Sequence, residues 1–100
     1  EWLKITYGKL GIGVSCICPQ AVRTPMTAQG AGVAGIDGII EPDVVANDTL
    51  EAIQNDQFLV TPHQQVREYI QFKAADYEGW IERMQNLQEQ YINEIKSVIK

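Results

Sequence analysis

The amino-acid sequence predicts an α/β fold built on a parallel sheet and followed by a long amphipathic C-terminal helix. Three observations carry that prediction. Residues 12–18 (Ile-Gly-Val-Ser-Cys-Ile-Cys) are apolar at nearly every position and end at Pro19, the pattern of a strand covered on both faces. Helical patterns stand before this run and between it and a second short apolar run, Phe58-Leu59-Val60, an alternation that belongs to parallel sheets. Finally, Ile70, Tyr77, Met84, Tyr91 and Val98 recur every seventh residue, with Ala74, Ile81, Gln88 and Ile95 four places after the first four of them, a heptad-like stripe along one helix face.

Composition narrows the function classes. One hundred residues allow one domain at most. Thirteen Asp and Glu against eight Lys and Arg give a net charge of −5, which argues against coating a phosphate backbone or an anionic lipid surface. Neither a nucleic acid nor a membrane is therefore expected as partner, and the absence of an 18-residue apolar run or a basic leader fits a cytoplasmic location. The opening Glu1-Trp2, in place of Met, reads as the start of a piece of a longer chain.

Residues 1–9 read as the end of a helix, with Trp2, Leu3, Ile5 and Tyr7 on a loosely apolar face and Gly8 and Gly11 as stop signals. In the strand that follows, Cys16 and Cys18 share a face, and are expected as buried, reduced thiols that behave as small hydrophobes. Residues 25–40 have no periodicity and hold four glycines between Gly30 and Gly38, which predicts a loop. Pro42 at the first helical position and Asp43 in the first turn start a helix over 42–55, with Val44, Val45, Thr49, Leu50 and Ile53 at helical spacing. A strand over 58–61 comes next. Thr61, Pro62 and Gln64 match a capping box at the head of the helical extension 66–100, although Gly79 and the Asp76–Glu78 neighbourhood argue against one unbroken helix.

Two motifs mislead. Gly30-Ala31-Gly32-Val33-Ala34-Gly35 matches G-x-G-x-x-G, but no strand runs into it and no helix starts on it, so it reads as loop. Tyr69 and Lys73 make a Y-x-x-x-K, in which a lysine could lower a tyrosine pKa for acid–base work. No serine partner lies nearby, and a solvated Lys beside a half-buried Tyr is the expectation. His63, the only histidine, is expected at the surface.

The informative stretch is Pro19-Gln20-Ala21-Val22-Arg23-Thr24-Pro25-Met26. It leaves the C-terminal end of the first strand, where ligands bind in open α/β sheets. Its kinked backbone and the Thr24 hydroxyl could offer the paired donor and acceptor that a carboxamide needs.

Taken with the helix end before it, this stretch resembles the later part of a short-chain dehydrogenase/reductase. Gly11-Ile12-Gly13-Val14 matches that family's helix-to-strand turn, and Pro19 to Thr24 matches its P-G-x-[IV]-x-T segment with Gln20 in place of the usual glycine. Glu41-Pro42-Asp43-Val44-Val45-Ala46 and Phe58-Leu59-Val60-Thr61-Pro62 resemble its later helix and final strand, so the likeness covers residues 1–65 in order.

The resemblance implies a fold, a function and a site. The fold would be the C-terminal portion of a Rossmann-type doubly wound parallel sheet. The function would be NAD- or NADP-dependent hydride transfer between nicotinamide and a small carbonyl or alcohol substrate, in a homo-oligomer. The cofactor-binding residues would be Pro19, Gln20, Val22 and Thr24, with residues 25–40 as the loop over the substrate. The family's catalytic Ser, Tyr and Lys are expected upstream of Glu1, so these residues alone are expected to be inactive and to fold poorly in isolation. The alternative is a non-enzymatic α/β fragment acting as a helix-mediated interaction module.

Overall fold

The computed structural model describes residues 1–99, with the side chains of Glu94, Ile95, Ser97, Val98 and Ile99 outside the described set. Helix α1 (Trp2–Tyr7) runs into a 3-10 turn (Gly8–Leu10). Gly11 stops it at φ +91, and Ile12 N–H bonds back to the Tyr7 carbonyl at 3.3 Å, a helix end that only a residue tolerant of the left-handed region makes without strain.

Strand β1 (Cys16–Ile17) pairs in parallel with β2 (Leu59–Val60), Cys16 opposite Leu59 and Ile17 opposite Val60. Helix α2 (Pro42–Gln54) makes the crossover between them. Pro42 occupies its first turn after Glu41 in extended conformation, and Asp43 complements the helix N-terminus, so the local signals in the sequence place this helix correctly. It ends through Asp56 at φ +52, with Gln57 N–H bonded to the Ala52 carbonyl at 2.8 Å. The Asp56 carboxylate also meets Lys4 Nζ at 3.0 Å, tying this turn to α1.

The doubly wound parallel sheet is not formed. Among the described residues the sheet has two strands of two residues each, and the chain is mostly helical. A doubly wound sheet needs several adjacent strands with helices on both faces. With a single neighbour, β1 is covered on neither face as expected: Cys16 and Ile17 are exposed. The core is correspondingly small, and consists of Ala21, Ala52 and Val60 with His63. On α2 the inward side centres on Ala52, leaving Val44, Leu50 and Ile53 exposed.

The C-terminal extension is two helices, α3 (Gln65–Ala75) and α4 (Tyr77–Ile99). The Thr61 capping box does not form, because the Thr61 hydroxyl accepts from Arg67 Nε at 3.0 Å and α3 starts later. Asp76 leaves the helical region (φ −145, ψ 86), and its carboxylate accepts the Gly79 N–H at 3.0 Å, capping α4. A Cβ at Gly79 would collide with that carboxylate, which gives the glycine a reason to stand in a first helical turn.

Most of the described heptad stripe lies off the packed face. Ile70, Tyr77, Ile81 and Met84 are exposed, as are Ala74 and Gln88, while Ile95 and Val98 fall outside the described side chains. Among the described side chains of α4, Gly79, Trp80, Leu87, Tyr91 and Ile92 are the more covered, so Tyr91 alone of the described stripe joins them, and Trp80 lies against Tyr69 and Phe72 of α3 at ring-centre distances of 6.1 and 6.3 Å. No helix among the described residues is long and apolar enough to cross a membrane.

Candidate functional site

The segment beyond β1 is held by an isolated parallel bridge between Val22 and Ile40. Arg23 N–H donates to the Ile40 carbonyl at 2.9 Å, and Ile40 N–H donates to the Ala21 carbonyl at 3.2 Å. In a parallel ladder this geometry turns the N–H and C=O of the intervening residue to the opposite edge. Val22 therefore presents both backbone groups away from Ile40. Its carbonyl accepts the Thr27 hydroxyl at 2.6 Å, and its N–H has no partner among the described residues. Thr24 is extended and exposed, with its N–H on Thr27 Oγ1 at 3.1 Å.

Gln20 is positioned by a residue that sequence reasoning misplaced. His63 is buried, at 3% exposure, and its ring bridges two loops. Nδ1 accepts the Gln20 N–H at 3.0 Å and Nε2 stands 3.0 Å from the Gly38 carbonyl. An amide N–H on Nδ1 leaves the proton on Nε2, so the partners assign the neutral Nε2–H tautomer, donating to Gly38. The only hint in the sequence is that His63 is flanked by Pro62 in a turn, which says nothing about the loops that close over it.

A half-buried polar pair joins the loop to α3. Tyr69 Oη donates to Asp37 Oδ1 at 2.6 Å, while Asp37 Oδ2 is buried without a partner among the described residues. That hydrogen bond, then burial, then the Asp37 charge push the Tyr69 pKa above its ordinary value, with Arg83 opposing weakly. This is the reverse of what a catalytic phenolate needs. Lys73 does not act on Tyr69, since its Nζ lies 5.4 Å from the centre of the Tyr77 ring. One signal could have found the pair: Asp37 is the only charged residue between 25 and 40.

The four expected cofactor-binding residues do not converge on one hollow. Thr24 lines a hollow with Arg23, Thr27, Gly30 and Ile39, whereas Gln20 lines a different one with Tyr69, Trp80 and Arg83. Pro19 is exposed at the end of the strand segment. The G-x-G-x-x-G stretch is a loop carrying a 3-10 turn (Gly32–Gly35), as its surroundings in the sequence indicate. Cys16 is exposed, contrary to expectation, and its sulfur lies 3.7 Å from that of Cys18, both thiols being free. Burial, then the neighbouring Cys16, pushes the Cys18 thiol pKa up. No group of three or more His, Cys, Asp or Glu among the described residues is placed to hold a metal ion.

Compared with protein-family models, curated proteins and solved structures, the chain finds no match in any of the three. The resemblance to short-chain dehydrogenases/reductases therefore stands on the quoted residues alone.

Proposed function

We propose that this chain supplies the carboxamide-holding edge of an NAD- or NADP-dependent oxidoreductase, which moves a hydride between nicotinamide and a carbonyl or alcohol substrate. The observation that carries the reading is Val22, whose N–H and C=O are both turned to the edge opposite Ile40, beyond the C-terminal end of a parallel strand. A carboxamide needs one donor and one acceptor at fixed positions, and this edge offers both, the carbonyl keeping a second lone pair beside its Thr27 bond. When bound, the cofactor supplies the hydride chemistry. The chain's own part is orientation: Val22 aligns the amide, and Thr27 stiffens the segment by bonding both Val22 and Thr24. None of these side chains is assigned proton transfer, because Asp37 keeps the Tyr69 phenol protonated.

Titration of NADH and NADPH against the whole oxidoreductase that contains this chain, and against its Val22→Pro and Thr24→Ala variants, tests the reading. Proline removes the Val22 N–H, and about a tenfold weaker cofactor affinity is expected from losing one such bond. Equal affinity in the Val22→Pro variant, or no binding of either nucleotide by the whole protein, overturns it.

One observation favours the interaction module as a second reading. Tyr77, Ile81 and Met84 are each at least 36% exposed along one stretch of α4, with Ile70 of α3 also exposed. A homo-oligomer assembled on that stripe loses mass in sedimentation when Tyr77→Glu and Met84→Glu are combined, and unchanged mass removes this reading.

A further inference from the structure

The hollow between the 25–40 loop and α4 has a volume of about 240 Å³. Val33 and Ile36 line it from the loop, Trp80, Met84 and Leu87 from α4. Its lining contains a single cation, Arg83. The guanidinium carbon of Arg83 lies 4.9 Å from the centre of the Phe72 ring, a stacked position that limits its rotamers. It has no ion pair among the described residues. Its own helix offers no acid at three or four residues' distance, where Gly79, Trp80, Asn86 and Leu87 stand. The nearest acid of the loop, Asp37, is engaged by Tyr69 instead.

A mostly apolar, partly open hollow with one stacked guanidinium that has no ion pair among the described residues is complementary to an apolar molecule carrying one carboxylate. The carboxylate takes the planar fork of Arg83 and the hydrocarbon takes the side chains from the loop and α4. The volume lies below the range for drug-sized ligands, which points to a short or medium hydrocarbon chain. We infer that the hollow between the loop and α4 binds a medium-chain monocarboxylate, with Arg83 as the residue that selects the acid over the corresponding alcohol. The inference goes beyond the nicotinamide reading and needs no cofactor, so the two fail separately.

Isothermal titration of the protein as purified, without nucleotide, with octanoate and with octanol tests it. Octanoate is expected to bind saturably and about tenfold more tightly than octanol, the margin of one charge-assisted contact. Arg83→Gln is expected to erase that margin while octanol binding persists, which also reports that the variant is folded. Ile36→Glu, which places a negative charge in the opposite wall, is expected to abolish binding of both. No saturable octanoate binding, or equal affinity for acid and alcohol in the unmodified protein, overturns the inference without recourse to any variant. A margin that survives Arg83→Gln overturns the role of Arg83.

Discussion

The His63 ring accepts the backbone N–H of Gln20, 43 residues away in sequence, at 3.0 Å, and so fixes the segment beyond β1 to the turn that opens α3. Its other nitrogen reaches the Gly38 carbonyl at 3.0 Å, so one buried side chain holds three segments that share little hydrophobic core. Replacing it with Ala removes the partner of the half-buried Gln20 N–H and of the Gly38 carbonyl, at a cost of about 1 kcal/mol. His63→Ala is expected to speed thermolysin cleavage within residues 25–40 severalfold, as local opening becomes easier. His63→Gln, which keeps a donor and an acceptor on a shorter reach, is expected to fall between. Equal cleavage rates for all three proteins would show that the bridge contributes nothing to holding the loop.

The Tyr69–Asp37 hydrogen bond gives the fold an alkaline liability. A phenol whose pKa is raised in the folded state keeps its proton where the unfolded chain has lost it. The stabilisation is fully present below the unfolded value of 10.0 and disappears as pH rises through the higher folded value. Denaturation monitored from pH 8 to 12 is expected to show this loss above pH 10 in the unmodified protein and a shallower one in Tyr69→Phe. At neutral pH the Phe variant is expected to be less stable by about 1–2 kcal/mol, since both Asp37 oxygens are then without partners.

The two thiols are expected to differ in reactivity although their sulfurs lie 3.7 Å apart. Cys16 is exposed, whereas Cys18 is more covered and has its thiol pKa raised by burial first and by Cys16 second. Alkylation follows the thiolate. Brief iodoacetamide treatment followed by peptide mass analysis is expected to find Cys16 modified ahead of Cys18. The reverse order would contradict the exposures described above.

The isolated 100 residues are expected to melt without a cooperative transition. The radius of gyration is 16.3 Å, against about 13 Å for a compact chain of this length. Trp2, Ile5, Leu10 and Met26 are 64%, 78%, 75% and 93% exposed, and no large side chain among the described residues is fully buried. So little buried apolar area leaves only a small margin over the conformational entropy of ordering this many residues, and a broad transition follows. Calorimetry showing one sharp transition, with equal van't Hoff and calorimetric enthalpies, would refute this.

What the sequence determined by itself is what local chemistry decides. Pro42 and Asp43 start α2 because proline's fixed φ and the missing N–H suit a first helical turn. Gly11 ends the 3-10 turn that follows α1 because glycine adopts φ +91 at no cost, and Asp76 with Gly79 interrupts the last helical stretch through a side chain competing for backbone N–H groups. Periodicity then lines residues up along a face but does not say what covers that face. The heptad stripe is a real alignment, yet tertiary contacts carry the packing to Trp80 and Leu87, because Tyr69 and Phe72 stand beside Trp80 and the loop residues Val33 and Ile36 line the same hollow. The apolar run at 12–18 likewise records a tendency to be buried, while its exposure follows from β1 having one neighbouring strand. Only the tertiary structure made His63 a buried bridge, paired Tyr69 with Asp37 and left Arg83 without an ion pair among the described residues. Each depends on groups brought together from 25 or more positions apart or from another helix, and apart from the lone charge of Asp37 within residues 25–40, spacing in the sequence does not name such partners.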